Sequence, residues 1–204
     1  MEDLETIELI IDEETDLHGI QAISVVERPA IEEDFIFLKA QEEKLLLAEV
    51  DGDRRILMGA ALIPDKKIYR KDGDGKPYQI FFTKDTVVKA SQLFLMEGKQ
   101  NNSTLEHEVD ISGLSVVESW IIEDEVHDKS RKFGLEMPLG TWMVSVKVNN
   151  DVIWEEFVKT KAVKGFSIEG FFVDKLSVKD NEEVAASEAL EIIKDLISKV
   201  DGES

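Results

Sequence analysis

Alternation of apolar and polar residues predicts that the first half of the chain consists mainly of strands. "LETIELIID" alternates with the period of a half-buried strand, and "GIQAISVVERPAI" predicts a second strand that stops at Pro29. "EEKLLLAEV" and "RRILMGAALI" flank the turn sequence "DGD", and "KKIYRK" and "YQIFFT" flank "DGDGKP". Each of these two sets predicts a β-hairpin.

Helical patterns are found in three stretches. "TKDTVVKASQLFLMEG" predicts a helix with Thr83 as N-cap and Gly98 just past its end. "NDVIWEEFVKT" predicts a short helix, and "NEEVAASEALEIIKDLISKV" predicts a C-terminal amphipathic helix. "LSVVESWIIED", "GTWMVSVKV" and "KGFSIEGFFVDKL" predict further strands in the second half.

The number and order of these elements favour a mainly β fold with added helices. About nine strands and three helices, without regular alternation, are typical of a β-barrel surrounded by helices. We therefore expect a barrel domain over residues 1–178 and a C-terminal helical tail over residues 179–204.

Composition and charge exclude several classes of function. A net charge of −20 disfavours nucleic acids and anionic membrane surfaces as partners, and a charged substrate would be basic. The chain has no cysteine, so disulfides, thiolate metal sites and a cysteine nucleophile are ruled out. No apolar run is long enough for a membrane-spanning helix. Neither a phosphate-binding glycine motif nor HExxH occurs, so we expect no cofactor and no metal.

One serine stands out because glycines flank it within a strand. "KGFSIEGFF" places Ser167 between Gly165 and Gly170, and a glycine inside a strand marks a bulge or the close approach of another segment. That segment is either a neighbouring strand or a peptide substrate. The alternation of the strand directs Phe166 and Ile168 to the face opposite Ser167, into a core.

Serine hydrolysis also requires a base close to the hydroxyl, and the chain contains three histidines. His18 has the context of a turn residue and His127 lies in a polar loop, whereas His107 leads into a strand-rich region. The residues alone leave two interpretations open: a Ser167–His107 catalytic pair, or an ordinary strand serine with a surface histidine.

Several stretches, in order, resemble the phage serine proteases of the XkdF type, which are grouped with prohead maturation proteases of the herpesvirus assemblin fold. The stretches are "GAALIPDKKIYR", "YQIFFTKDTV", "EH" at Glu106 and His107, "GLSVVESWIIED", "GTWMVSVKV" and "VKGFSIEGFF". "GIQAISVVERPAI" resembles the N-terminal signature of the family. Together they cover most of the chain up to about Leu176.

The resemblance implies a serine endopeptidase with Ser167 as nucleophile and His107 as general base. The third catalytic residue departs from the pattern of related families, because Ala22 stands where an acid or a second histidine is expected. Glu27 is the nearest acid along that strand, and Glu118 and Glu169 are alternatives. The signature strand also precedes the serine instead of following it, which suggests a circularly permuted barrel.

The resemblance also implies a biological setting, namely capsid maturation inside the phage procapsid in the host cytoplasm. Scaffold and capsid proteins are the implied substrates, and activation by homodimerisation is known among herpesvirus relatives. The missing acid at Ala22 supports an alternative, a catalytically inactive scaffold or capsid-assembly protein on the same fold.

Overall fold

The computed structural model describes residues 4–15, 17–27, 36–38 and 54–176. These residues form mainly strands. The strands are β1 (Thr6–Ile10), β2 (Gly19–Val26), β3 (Ile36–Leu38), β4 (Ile56–Leu62), β5 (Ile68–Lys71), β6 (Pro77–Phe81), β7 (Ser103–Leu105), β8 (Val109–Ile111), β9 (Leu114–Ile121), β10 (Trp142–Val148), β11 (Gly165–Phe171) and β12 (Val173–Asp174). The helix α1 (Lys84–Met96) follows β6. Short 3₁₀ turns cover Lys99–Asn101 and Lys129–Phe133, and a π-helix covers Ile153–Val158.

The strands pair into three four-stranded sheets, in the orders β12-β1-β6-β5, β3-β4-β10-β9 and β11-β2-β7-β8. Among the described residues each sheet keeps two edge strands and none closes into a barrel, so the predicted barrel surrounded by helices is wrong. Alternation along a strand shows that one face is buried, but it carries no information on which strands pair. The parallel pairs β1–β6 and β2–β7 join strands that are distant in sequence. The circular permutation suggested from the sequence assumed a barrel, so it is wrong as well.

Local pairings agree well with the sequence. β5 and β6 form the predicted hairpin around "DGDGKP". In its turn, the Asp72 carboxylate accepts hydrogen bonds from the backbone N–H groups of Asp74 and Lys76. β9 and β10 pair antiparallel along their whole length. The first strand of the predicted "DGD" hairpin lies outside the described residues, and so does the predicted C-terminal helix over 179–204.

Helix α1 lies where its pattern predicts. It begins after Thr83, whose backbone is extended, and Gly98 follows its end in the left-handed conformation with φ of 72°. Its buried face carries Val87, Ala90 and Phe94, spaced three and four residues apart, and packs against β2 and β10. The predicted short helix near "NDVIWEEFVKT" is a π-helix, which begins where the Asn150 side chain accepts the N–H of Ile153.

The core lies between the sheets and α1 and is rich in large side chains. Phe94 and Trp142 are fully buried and meet edge to face, with their ring centroids 5.5 Å apart. Phe166, at 1% exposure, joins the same core, and Ile168 packs against it. The prediction that these two residues of β11 face a core is therefore confirmed. No helix among the described residues is long and apolar enough to cross a membrane.

Gly170 is explained by the close approach of β2. A β-carbon at this position would lie 2.4 Å from the carbonyl oxygen of Gly19 and 2.9 Å from the α-carbon of Ile20. The pairing of β11 with β2 shifts register between Glu169 and Gly170, so the glycine lies at a bulge. The neighbouring strand, and not a substrate, therefore requires a glycine here.

Substitution of Gly170 tests this packing. Gly170→Ala places a methyl group against backbone that has little room to move, so we expect the free energy of unfolding to fall by about 1–3 kcal/mol. Gly73→Ala is the matched control, because a β-carbon there meets nothing within 4 Å. Thermal unfolding followed by circular dichroism measures both variants. Equal melting temperatures for the two would contradict the proposed contact.

Candidate active site

Ser167 lies in the middle of β11, an edge strand of its sheet. The serine is 5% exposed, and it faces Ser24 of β2 directly across the strand pair. Residues that lie opposite each other in an antiparallel pair carry their side chains on one face, with α-carbons about 4.5–5.5 Å apart. Glu169, two residues further along β11, projects on this same face.

His107 lies in the tight turn that joins β7 to β8. The N–H of Glu108 donates to the carbonyl of Leu105, and the two central residues, Glu106 and His107, have positive φ angles of 52° and 61°. This conformation normally requires Asn, Asp or Gly. Backbone strain of this kind costs about 1–3 kcal/mol per residue and is concentrated at functional sites. The turn is therefore held in place by its surroundings.

Contacts to β2 hold this turn. The N–H of Glu106 donates to the carbonyl of Val25 over 3.1 Å, and the N–H of His107 donates to the Ser24 hydroxyl oxygen, also over 3.1 Å. The side chain of Glu106 accepts the N–H of Glu27 over 2.6 Å. These bonds fix the position of the His107 backbone relative to the strand that pairs with β11.

The imidazole of His107 reaches β11 at Glu169. Its Nδ1 atom lies 3.1 Å from Oε1 of Glu169, and the Thr104 hydroxyl donates to the same carboxylate oxygen. Both side chains of the pair are partly exposed, at 41% for His107 and 31% for Glu169. A carboxylate that accepts Nδ1–H fixes the tautomer and leaves the Nε2 lone pair free to accept a proton.

The serine and the histidine share one polar face but do not touch. Within the described part of the chain, no hydrogen bond joins the Ser167 hydroxyl to the His107 ring. Ser24 lies between them: it is opposite Ser167, it accepts from the His107 backbone, and its hydroxyl donates to the carbonyl of Thr104 over 3.4 Å. The structure thus brings together Ser167, His107 and Glu169 around Ser24.

The predicted third residue, Glu27, lies at the end of β2 and is exposed. Its backbone N–H contacts Glu106, and among the described contacts its carboxylate has none with His107. Glu118 lies in another sheet, opposite Ser145, where a hydrogen bond from the Lys129 ammonium lowers the pKa of its carboxyl group. Of the three acids considered from the sequence, Glu169 alone contacts the histidine in the described structure.

The other two histidines lie apart from this cluster. His18 bridges the carbonyl of Thr15 and the carboxylate of Glu97, and so ties the start of β2 to the end of α1. His127 lies 3.0 Å from Asp124 in an exposed loop. Two backbone N–H groups and the His127 ring bind the Asp124 carboxylate and lower its pKa to about 2. Both histidines have the turn and loop contexts that the sequence predicts.

Sequence reasoning did not identify Ser24 and Thr104. Ser24 is the one hydroxyl in the otherwise apolar end of "GIQAISVV", and Thr104 comes three residues before His107. Both are buried, at 0% and 5% exposure, and both are hydrogen-bonded within the cluster. A serine inside an apolar strand is a weak signal, because a buried hydroxyl needs a partner that only the fold reveals.

Comparison with known proteins gives one match. No curated protein and no solved structure matches the chain. A family model described as "Putative phage serine protease XkdF" matches residues 43–174, a range that contains Ser167, His107 and Glu169, whereas the N-terminal "GIQAISVVERPAI" lies outside it. The match covers well over half of the 204 residues and confirms the resemblance drawn from the sequence. The chain belongs to the family of the putative phage serine protease XkdF.

Proposed function

We propose that this protein is a serine endopeptidase of phage capsid maturation, in which Ser167 is the nucleophile, His107 the general base and Glu169 the acid that orients the base. Membership of a phage serine protease family supports the reaction class. The contact between His107 Nδ1 and Glu169, on the face of β11 that carries Ser167, is the observation that supports the residue assignment.

The proposed reaction is acyl transfer to the serine followed by hydrolysis. His107 Nε2 takes the proton from the Ser167 hydroxyl while the oxygen attacks the carbonyl of the scissile peptide bond. The imidazolium then protonates the leaving amine, and the acyl group stays on Ser167. A water molecule, deprotonated by His107, releases the acid product and restores the serine. Throughout, Glu169 accepts Nδ1–H and stabilises the imidazolium.

The register between β2 and β11 supports Glu169 as the acid that orients His107. Related families suggest an acid at the position of Ala22, and Glu169 pairs directly with Ala22 across β2 and β11. The carboxylate therefore occupies the same part of the sheet but is supplied by the neighbouring strand. Glu27 stays a prediction from sequence, and the geometry favours Glu169 because the imidazole is already bound to it.

In the proposed mechanism, the His107 side chain has to move toward Ser167 before it can take the proton of the hydroxyl. Ser167 and Glu169 project from one face of the same strand, about 7 Å apart along it, so a ring held at Glu169 lies on the face from which it can approach Ser167. Catalytic hydrogen bonds are often long without substrate and shorten in the reactive complex. The positive-φ turn that carries His107 is anchored through its backbone, so its side chain is the part that moves.

The substrates that we propose are scaffold and capsid proteins, cleaved inside the procapsid in the host cytoplasm. The strongly acidic chain favours basic segments of such proteins. Two observations favour a second candidate, an inactive assembly protein on the same fold. Ala22 stands where related families suggest an acid, and no described hydrogen bond joins Ser167 to the His107 ring. A homodimer, as implied by herpesvirus relatives, is also a proposal.

Removal of the nucleophile separates the two candidates. Co-expression of the protein with its capsid and scaffold proteins should give cleaved products, and Ser167→Ala should abolish them without lowering the melting temperature appreciably. Ser112→Ala is the control, since that serine is exposed in the turn between β8 and β9. Processing that persists in Ser167→Ala, or that never occurs in the wild type, would refute the assignment.

The identity of the acid is tested by a pair of amide substitutions. Glu169→Gln keeps the shape but cannot stabilise an imidazolium, so we expect kcat to fall by about 10²–10⁴-fold, the range of a general-base contribution. Glu27→Gln should leave kcat close to the wild-type value. Steady-state rates on one peptide substrate decide between the two residues. A large loss in Glu27→Gln with none in Glu169→Gln would reverse the assignment.

The preference for basic substrates is tested with salt. We expect kcat/KM for a basic peptide to fall as the ionic strength rises from about 0.01 M to 1 M, because the Debye length shortens from about 30 Å to 3 Å. A peptide with the same scissile bond and neutral flanks is the control. Equal salt dependence for both peptides would count against electrostatic recognition.

A further inference from the structure

Two adjoining cavities share part of their lining, and one of them borders β11. The inner cavity, of about 220 Å³, is bounded on one side by Ser167, Ile168 and Gly170. The outer cavity, of about 400 Å³, shares four lining residues with it, namely Leu9, Arg70, Ile80 and Phe172. The two cavities are therefore neighbours, and the inner one reaches the proposed nucleophile.

The inner cavity adjoins the edge of β11 that does not pair with β2, where β4 is the neighbouring strand. Ser167 and Ile168 project to opposite faces of the sheet, yet both line this cavity, so the cavity wall is the edge of the strand. The other edge of β11 pairs with β2, and no strand among the described residues pairs with the edge at the cavity. An unpaired strand edge can hydrogen-bond an extended peptide.

Most of the residues that line the inner cavity are apolar. Besides β11, four further strands and the segments that follow β6 and β11 contribute to its lining, among them Leu9, Ala61, Leu62, Ile80, Phe82 and Phe172. Arg70 is the one charged residue in its lining, and its guanidinium donates to the carbonyl of Tyr69. A cavity that could hold several waters, each of about 30 Å³ in the liquid, has room for a medium-sized apolar side chain.

We propose that the inner cavity binds the side chain of the residue whose carbonyl Ser167 attacks, and that the substrates are peptides with an apolar residue at that position. This inference rests on the proposed function, since it takes Ser167 as the nucleophile. That side chain is attached one carbon away from the attacked carbonyl, so it enters the cavity that adjoins the serine. A charged side chain would lose hydration against these walls, and a basic one would also meet the like charge of Arg70.

Phe172 sets the size of this cavity. It is half-buried, lines both cavities, and packs edge-on against Phe82 with ring centroids 4.8 Å apart. Its ring therefore lies in the wall between the inner and outer cavities. Truncation of this ring would join the two spaces and admit larger side chains.

The experiment compares Phe172→Ala with Phe171→Ala on a peptide library that varies the residue before the scissile bond. Phe171 is the matched control, because it is 51% exposed and lines neither cavity. Phe172→Leu is a milder second variant if the alanine variant unfolds. Cleavage is quantified by mass spectrometry, and the signal of Ser167→Ala is subtracted as background.

For the wild type, we expect kcat/KM to favour apolar over charged residues at this position by at least about tenfold. Phe172→Ala should shift the preference toward larger side chains, and Phe171→Ala should keep the wild-type profile. A wild type that prefers charged residues, or identical profiles for Phe172→Ala and the wild type, would overturn the cavity assignment while leaving the protease proposal intact. A wild type with no cleavage above the Ser167→Ala background would overturn both.

Discussion

Strand β2 holds the candidate site together because it pairs with two partners at once. On one edge it pairs antiparallel with β11, which places Ser24 opposite Ser167. On the other edge it pairs parallel with β7, which places Thr104 beside Ser24 and leads directly into the His107 turn. This central strand therefore helps to bring the serine, the histidine and Glu169 to one face of a sheet.

The site has an energetic cost that the surrounding structure offsets. Two successive residues of the turn, neither of them glycine, adopt positive φ angles. In addition, buried hydroxyl groups lie on the polar face of the sheet. Each buried hydroxyl without a partner would cost about 1–3 kcal/mol. Ser24 avoids this cost by donating to the carbonyl of Thr104 and accepting from the His107 backbone, and the Thr104 hydroxyl avoids it by donating to Glu169. The same bonds that satisfy these groups also set the position of the proposed base.

Local structure could be predicted from the sequence, whereas pairing over long distances could not. The β5–β6 hairpin, helix α1 and the buried face of β11 follow from turn residues, caps and alternation over short spans. The pairing of β2 with β11 joins residues more than 130 positions apart, and no periodic pattern encodes that choice. The prediction of a barrel is wrong for this reason, because the strands of separate sheets and those of a closed sheet show the same alternation of apolar and polar residues.

For the candidate site residues too, local sequence patterns were informative, whereas contacts between distant segments could not be predicted. Alternation along "KGFSIEGFF" is sufficient to place Ser167 and Glu169 on one face, and resemblance to a family identified Ser167 and His107 together. The role of Glu169 depends on the register that aligns it with Ala22 and on the turn that directs His107 toward it. Neither the register nor the turn conformation is visible in the sequence, so Glu169 was one alternative among several acids.

The central claim is that His107 and Glu169 make Ser167 nucleophilic. The most direct measurement is reaction of the purified protein with diisopropyl fluorophosphate, followed by mass spectrometry of its proteolytic peptides. The account predicts a single diisopropylphosphoryl adduct, located on the Ser167 hydroxyl. An adduct on a different residue, or an unmodified chain after prolonged reaction, would contradict it.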